Sequence, residues 1–364
     1  MIFDDKYYMS KALELAKKAW GKATPNPMVG AVIVDDGKIV AQGYHKKNGD
    51  AHAEKSAIKK LKKPLGKNAT MYVTLEPCST KGRTGACTEA ILNAGIKNIV
   101  IGTLDPNPAH NGASLDFFKK HKISARYSVL KKECEDLNFI FNHIIKNKNA
   151  ILIAKFAASK NFKIAKKLGN PIKISSKESS VHLHKLRALT DSIGVGSKTL
   201  FSDNPKLTVR AGNKESCKAR LIFDRRLLVA DCDLKKFNLF SDKFKSRTFV
   251  VCDLDSPKEK ISLLKKHKIK VLQVASKRCE EKLFWKLLSE KLFEMKIYSL
   301  LIEGGSEIFK SLLESKSTDY FFVYISEKIF SDSAPNAVSE KFQKKILSAD
   351  KIKLGKDTLY FSQC

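Results

Sequence analysis

The sequence predicts an α/β protein of two domains, and three observations carry that reading. The chain has 364 residues, enough for two or three domains of roughly 100–200 residues each. Over the first 145 residues, strand and helix signals alternate, the pattern of an α/β sandwich. Near Asn149 a second series begins, in which short Ile-, Leu- and Val-rich runs read as buried strands of a mostly parallel sheet. The boundary is expected at Asn147-Lys148-Asn149, giving domains 1–147 and 148–364.

Taken in order, residues 4–20 are an expected helix, because Tyr8, Ala12, Leu15, Ala16 and Ala19 fall on one face. Residues 29–34 and 38–43 read as strands around an Asp35-Asp36-Gly37 turn. A helix over 52–61 is closed off by Pro64 and Gly66. Residues 71–75 form a short buried strand, 84–93 a helix ending at Ala94-Gly95, and 98–101 a strand. Helices are expected over 114–120 and 131–146. In the second half, strands are expected at 151–156, 191–195, 219–223, 248–251, 270–274 and 298–302. Helices fit 177–187, 283–295 and 306–313, and the Lys-rich stretch 235–245 reads as a surface loop.

Composition narrows the class. Hydrophobic residues make up 43% of the chain, enough to build real cores and too many for disorder. No apolar run approaches the roughly 20 residues of a membrane helix. The start, Met1-Ile2-Phe3-Asp4-Asp5-Lys6, lacks the basic-then-apolar profile of a signal peptide. A soluble cytoplasmic protein is therefore expected. The net charge is +30, yet only nine of the 68 basic residues are arginine and the lysines run along the whole chain. A nucleic-acid surface would concentrate charge and use arginine forks on phosphates. A solvated lysine-rich surface is expected instead, one that also attracts phosphorylated small molecules. Six of the eight cysteines are scattered, as reduced structural thiols are.

The other two cysteines carry chemistry. His52, Cys78 and Cys87 can hold zinc with three protein ligands and leave the fourth position to water, the arithmetic of a catalytic site. Glu54, two residues beyond His52, can lie beside the metal without binding it and move protons on that water. Zinc would lower the pKa of bound water to about 7. H-x-E with P-C-x-x-C is the signature of zinc nucleobase deaminases. Here the cysteines stand farther apart, within Glu76-Pro77-Cys78-Ser79-Thr80-Lys81-Gly82-Arg83-Thr84-Gly85-Ala86-Cys87. A nucleic-acid-binding protein with a structural zinc, or a tRNA or free-base deaminase, remain alternatives on the zinc motif alone.

That stretch resembles the deaminase half of the bifunctional riboflavin-biosynthesis enzymes, which carry E-P-C-S-H-x-G-R-T-P-P-C. Thr24-Pro25-Asn26-Pro27-Met28-Val29-Gly30, Gly43-Tyr44-His45 and Asp105-Pro106-Asn107-Pro108 add to it. In the second half, Lys155 to Ser159, Leu186-Arg187-Ala188, Asp191 to Thr199, Asp203 to Arg210, Phe223-Asp224 and Ile302-Glu303-Gly304-Gly305 are similar to the family's reductase half. The resemblance implies a cytidine-deaminase-like α/β/α zinc domain followed by a dihydrofolate-reductase-like α/β domain. It implies zinc-dependent deamination of 2,5-diamino-6-ribosylamino-4(3H)-pyrimidinone 5′-phosphate, then reduction of the ribosyl group to ribityl with NADPH. Asn26, His45, Lys81, Asp105 and Asn107 would line the first substrate pocket. Lys155, Arg187, Leu207, Arg210 and Glu303 would contact the second substrate, and Ala158, Thr199, Asp203 and Gly305 would contact NADPH. A homo-oligomer is implied as well.

The chain departs from the family at several places. Thr80 stands for a histidine, and Gly85-Ala86 for Pro-Pro. The family's S-x-D-G is Ser159-Lys160-Asn161-Phe162, and its S-x-W-I is Pro171-Ile172-Lys173-Ile174. The second pair of changes opens the alternative of an active deaminase joined to a degenerate reductase half.

Overall fold

A computed structural model describes residues 4–80, 85–164, 174–331, 333–334 and 336–364. Lys81, Gly82, Arg83, Thr84, Pro171, Ile172 and Lys173 lie outside the described residues. The chain divides into two compact units, Met1–Lys148 and Asn149–Cys364. Among the described residues, no helix is long and apolar enough to cross a membrane.

The first unit is a five-stranded sheet with helices on both faces. Its strands are β1 (Gly30–Asp35), β2 (Lys38–Tyr44), β3 (Thr70–Leu75), β4 (Asn98–Thr103) and β5 (Ser124–Tyr127). They run in the order β2-β1-β3-β4-β5. The β2, β1 and β3 contacts are antiparallel, and β3, β4 and β5 are parallel. Helix α1 (Asp5–Ala16) is capped by Asp4, whose side chain accepts from Tyr7 N at 2.9 Å. Helices α2 (Ala53–Ile58), α3 (Cys87–Asn93) and α4 (Ala113–Lys120) come next along the chain. Helix α2 sits very close to β2: a Cβ on Gly43 would lie 2.4 Å from Ala57 N. Only glycine permits that approach, and it draws the start of α2 down onto the strands.

One expected helix is two. Residues 131–146 form α5 (Lys131–Leu137) and α6 (Phe139–Asn147). Asn138 between them leaves helical geometry, with φ −111° and ψ 25°. Its amide accepts from Met28 N at 2.8 Å and donates to Met28 O at 2.9 Å. A long-range bidentate contact thus overrides local helix propensity and pins the loop that carries Asn26.

The second unit is built on a nine-stranded sheet. Its strands are β6 (Ile151–Ala158), β7 (Ser192–Gly196), β10 (Ala219–Phe223), β11 (Thr248–Cys252), β12 (Lys270–Gln273), β13 (Ser299–Ile302), β14 (Tyr320–Ile325), β15 (Asp350–Leu354) and β16 (Asp357–Gln363). A separate hairpin pairs β8 (Thr208–Ala211) with β9 (Lys214–Cys217). The sheet order is β12-β11-β10-β7-β13-β6-β14-β16-β15. It is parallel through β14 and antiparallel beyond. The part of the chain after Ser331 supplies the helix Glu340–Leu347 and the last two strands. Phe223 and Trp285 pack edge to face at 5.3 Å in the core, where each buried large side chain contributes roughly 1.5–3 kcal/mol.

Helices α7 (Lys177–Leu189) and α8 (Ser197–Asp203) carry Arg187 and Thr199. Strands β7, β13 and β6 are neighbours. Gly196, Glu303 and Ala158 therefore arrive at adjoining carboxyl ends, where open parallel sheets bind their ligands.

Candidate active sites

The zinc-type constellation assembles at two helix starts. His52 is the N-cap of α2, and Cys87 opens α3. The carbonyl of Cys78 accepts from Cys87 N at 3.0 Å and Thr88 N at 3.2 Å, so one cysteine's backbone caps the helix that carries the other. Lys55 Nζ donates to Gly85 O at 2.8 Å and ties α2 to the segment before Cys87. His52 Nδ1 lies 3.5 Å from Cys78 Sγ and 3.3 Å from Cys87 Sγ. All three ligand atoms fall within 4.8 Å of one another. A tetrahedral zinc with bonds of roughly 2.0–2.3 Å separates nitrogen and sulfur ligands by about 3.5 Å. The donor set therefore fits zinc in both chemistry and spacing. Hydrogen bonding with Cys87 and with His52 holds the Cys78 thiol down to about 4, and the contact with Cys78 pushes the Cys87 thiol up. A thiolate is the form a metal takes.

Glu54, the second residue of α2, is 3% exposed. Burial pushes its carboxyl above the ordinary range, which suits a group that must hold and release a proton. It faces a cavity of about 190 Å³ lined by Asn26, His45, His52, Glu76, Cys78 and Asp105, among others. His45 is buried, and that burial lowers its pKa. Its Nδ1 lies 3.2 Å from Ala51 O and its Nε2 3.1 Å from Asn26 Nδ2. A carbonyl on one side and an amide donor on the other fix the neutral ring with the proton on Nδ1. Asn26 Nδ2 is spent on His45, which leaves its carbonyl oxygen for a ligand N–H.

The structure brings Asn26, His45, Glu54 and Asp105 into one cavity. Asn107 stands beside them and does not line it: its N–H donates to Asp105 Oδ1 at 2.8 Å, and its own Oδ1 accepts from Ala109 N. Sequence reasoning missed Glu76. Its carboxylate accepts from the N–H groups of Asp105, Gly112 and Ser114, each at 3.0 Å, and from Ser114 Oγ at 2.9 Å. It thereby holds the whole 105–112 loop against β3. The only signal was its place beside Pro77-Cys78. Phe141, also on the cavity wall, gave none.

In the second unit, Arg187 and Glu303 form a buried fork. Arg187 Nε and Nη2 lie 2.6 and 2.8 Å from the two carboxylate oxygens, and Nη1 donates to Thr208 O at 2.8 Å. The bidentate edge of Arg187 is thus occupied by Glu303 rather than presented to a phosphate. Burial pushes the Glu303 carboxyl up, but Arg187, by charge and hydrogen bonds, and Lys155 hold it below the ordinary range. Burial also lowers Lys155, against the pull of Glu303. Arg210 is exposed on β8, and its N–H donates to His184 Nδ1 at 3.1 Å. Leu207 is buried with φ +49°.

Of the residues expected on the cofactor side, Gly305 and Thr199 come together. Gly305 has φ +85°, which favours glycine, and is the N-cap of the helix Ser306–Glu314 with no side-chain cap. A Cβ on either Gly304 or Gly305 would lie 3.4 Å from Thr199 Oγ1. Bare backbone at a helix start beside a strand end fits a dinucleotide's phosphates. Ala158 is buried at the end of β6, whereas Asp203 is exposed at the far end of α8. The two altered positions of S-x-D-G are accommodated. Asn161 Oδ1 accepts from Ser159 Oγ at 2.7 Å and from Phe330 N at 3.2 Å, while its Nδ2 donates to Phe330 O at 2.7 Å. Phe162 takes up the glycine-like φ of +57°.

Comparison with known proteins agrees with both halves. Residues 3–103 match the cytidine and deoxycytidylate deaminase zinc-binding region, and residues 150–359 match the RibD C-terminal domain. The riboflavin biosynthesis protein RibD of Aquifex aeolicus is 37% identical over 328 residues, 90% of this chain and 88% of that protein. Its counterpart in Actinobacillus pleuropneumoniae is 36% identical over 326 residues, 89% of this chain and 84% of that protein. The crystal structure of a diaminohydroxyphosphoribosylaminopyrimidine deaminase/5-amino-6-(5-phosphoribosylamino)uracil reductase from Thermotoga maritima superposes with a TM-score of 0.80, at 31% identity and 99% coverage of both chains.

Proposed function

We infer the activity from one premise: the chain belongs to the RibD family of riboflavin-biosynthesis proteins. It is a bifunctional enzyme, a zinc-dependent deaminase joined to an NADPH-dependent reductase. The deaminase is assigned to residues 1–147 and the reductase to 148–364. The observation that carries the reading is the His52–Cys78–Cys87 set beside buried Glu54, which lines a small cavity, in a chain that continues into a reductase domain. That continuation favours an enzyme over a nucleic-acid-binding protein. A homo-oligomer in the cytoplasm is part of the same proposal.

In the first reaction, water adds at the ring carbon bearing the 2-amino group of the diaminopyrimidine phosphate, and ammonia leaves. Zinc, when bound by His52, Cys78 and Cys87, supplies the acidity that makes water a nucleophile near neutral pH. Glu54 accepts a proton from the attacking water and returns it to the departing nitrogen; its raised pKa serves both transfers. Asn26 offers its carbonyl oxygen to a ring N–H. Neutral His45 keeps Asn26 oriented, and Asp105 reads the opposite edge of the base. Lys81 and Asn107 are assigned to the same substrate.

In the second reaction the opened ribose is reduced at C1′. NADPH, when bound over Ala158, Thr199, Asp203 and Gly305, supplies the reducing equivalent. Lys155 donates a hydrogen bond to a sugar oxygen, where negative charge grows as the ring opens. Glu303 and Arg187 orient the sugar, Leu207 packs against it, and exposed Arg210 faces the phosphate.

Glu54→Gln tests the first half. Ammonia release should fall by about 10²- to 10⁴-fold with zinc content unchanged, and an undiminished rate would sink the mechanism. NADPH oxidation on the deaminated intermediate tests the second half, and its complete absence would establish a degenerate reductase.

A further inference from the structure

Lys155 occupies an unusual place for an ammonium. On β6 it pairs with Phe322 of β14, two residues from the Ala157–Tyr324 pair, so Lys155 and Tyr324 share one face of the sheet. On the other side β6 pairs with β13, whose next residue is Glu303. Lys155 Nζ sits 5.5 Å from the centre of the Tyr324 ring. Among the described residues, none accepts a hydrogen bond from this ammonium. Its position therefore rests on a carboxylate on one side and a π face on the other.

The ring is itself held. Tyr324 is 1% exposed, and its hydroxyl lies 2.9 Å from Nδ1 of His182 on α7. The two rings meet edge to face at 5.9 Å. A phenol hydrogen-bonded to an imidazole is fixed in one orientation, and the face it presents attracts a cation. The same bond stops the ring from turning its edge to the ammonium.

We propose that Tyr324, locked by His182, is a positioning residue that aims the Lys155 ammonium at the sugar during reduction. The proposal rests on the reductase reading of the second unit. It predicts a chain of dependence: His182 fixes Tyr324, and Tyr324 fixes Lys155.

The test uses the full chain, supplied with the deaminated aminouracil phosphate and NADPH. Tyr324→Leu should lower kcat by about tenfold and change KM for the aminouracil by less than about threefold. Tyr324→Phe keeps the ring and should recover most of that loss. His182→Ala should match Tyr324→Phe, and the double variant should be no worse than either single, because both break one link. Urea unfolding followed by Trp285 fluorescence, in a Trp20→Phe background, reports that the second unit of each variant is folded. A Tyr324→Leu rate within twofold of the wild type overturns the proposal, as does a Tyr324→Phe rate no better than Tyr324→Leu. Should Tyr324→Leu fail to fold, the two singles and their double decide, and additive losses or no losses overturn it. A wild-type chain that oxidises no NADPH overturns both the reductase reading and this proposal.

Discussion

Replacing Glu303 by glutamine removes one charge from a pair that water barely reaches. The side chains of Arg187 and Glu303 are 13% and 5% exposed, and the fork closes at 2.6 and 2.8 Å. Leaving a buried charge without its partner costs roughly 3–5 kcal/mol. Lys155 feels the same carboxylate, so two cations lose their counter-charge and the upper part of that range is expected. In a unit of roughly 200 residues each kcal/mol shifts Tm by about 2–4 °C, so a loss of about 4–5 kcal/mol should lower the midpoint by about 8–20 °C. Urea unfolding followed by Trp285 fluorescence, in a Trp20→Phe background, reports this unit alone, since the chain has two tryptophans. The double variant Arg187→Met/Glu303→Leu removes the pair together and should be closer to wild type than the single. The pH dependence comes from the depressed Glu303 carboxyl. Between its folded pKa and the ordinary 4.5, the unfolded chain binds more protons than the native one. The wild type's advantage over Glu303→Gln is therefore complete above the ordinary value and is lost as pH falls through the folded one. A Glu303→Gln chain within about 1 kcal/mol of wild type at pH 7, well short of the 3–5 kcal/mol range, would refute the reasoning. So would a double variant weaker than the single.

Three further outcomes are expected. Glu76→Gln swaps an acceptor for a donor among four donating groups, each costing about 1–3 kcal/mol if left unmet. The 105–112 loop should loosen and the deaminase KM rise about tenfold (about 1.4 kcal/mol) with zinc content unchanged, as kinetics and metal analysis would show. Arg220 is fully buried and donates to Thr248 Oγ1, Lys206 O, Leu239 O and both oxygens of Asp242. Arg220→Ala should cost roughly 3–5 kcal/mol and loosen the segment around it, so that trypsin cuts faster after the already exposed Lys235, Lys236 and Lys243, read by limited proteolysis. Stripping the metal with a chelator should abolish ammonia release and spare NADPH oxidation on supplied intermediate; loss of both would show that the reductase also needs the metal.

Much of the fold was legible because its strands are short, apolar and bounded by turn residues. Strands 219–223 and 98–101 read clearly for that reason. The zinc set was legible because metal coordination demands particular side chains, and few other roles place His-x-Glu ahead of Pro-Cys and a second Cys. What escaped were features made by distant residues. Asn138 looked like one position in a long helix, since nothing local marks its grip on Met28, 110 positions away. Asp350–Leu354, with residues 350–353 exposed, lacks the alternation of a half-buried strand because it is a sheet edge.

By itself the sequence determined the residue types offered to the chemistry: a His-Cys-Cys set able to hold a metal, a glutamate beside it and the order of the two domains. Those depend on side-chain identity and on spacing within one or two elements, which a chain carries wherever it folds. The tertiary structure alone decided how those groups are held. It placed Glu76 under the loop of Asp105, turned the Arg187 fork onto Glu303, and set Lys155 against the ring of Tyr324. Burial, pKa and hydrogen-bond direction arise only when distant segments exclude water from one another, and no local pattern encodes that exclusion.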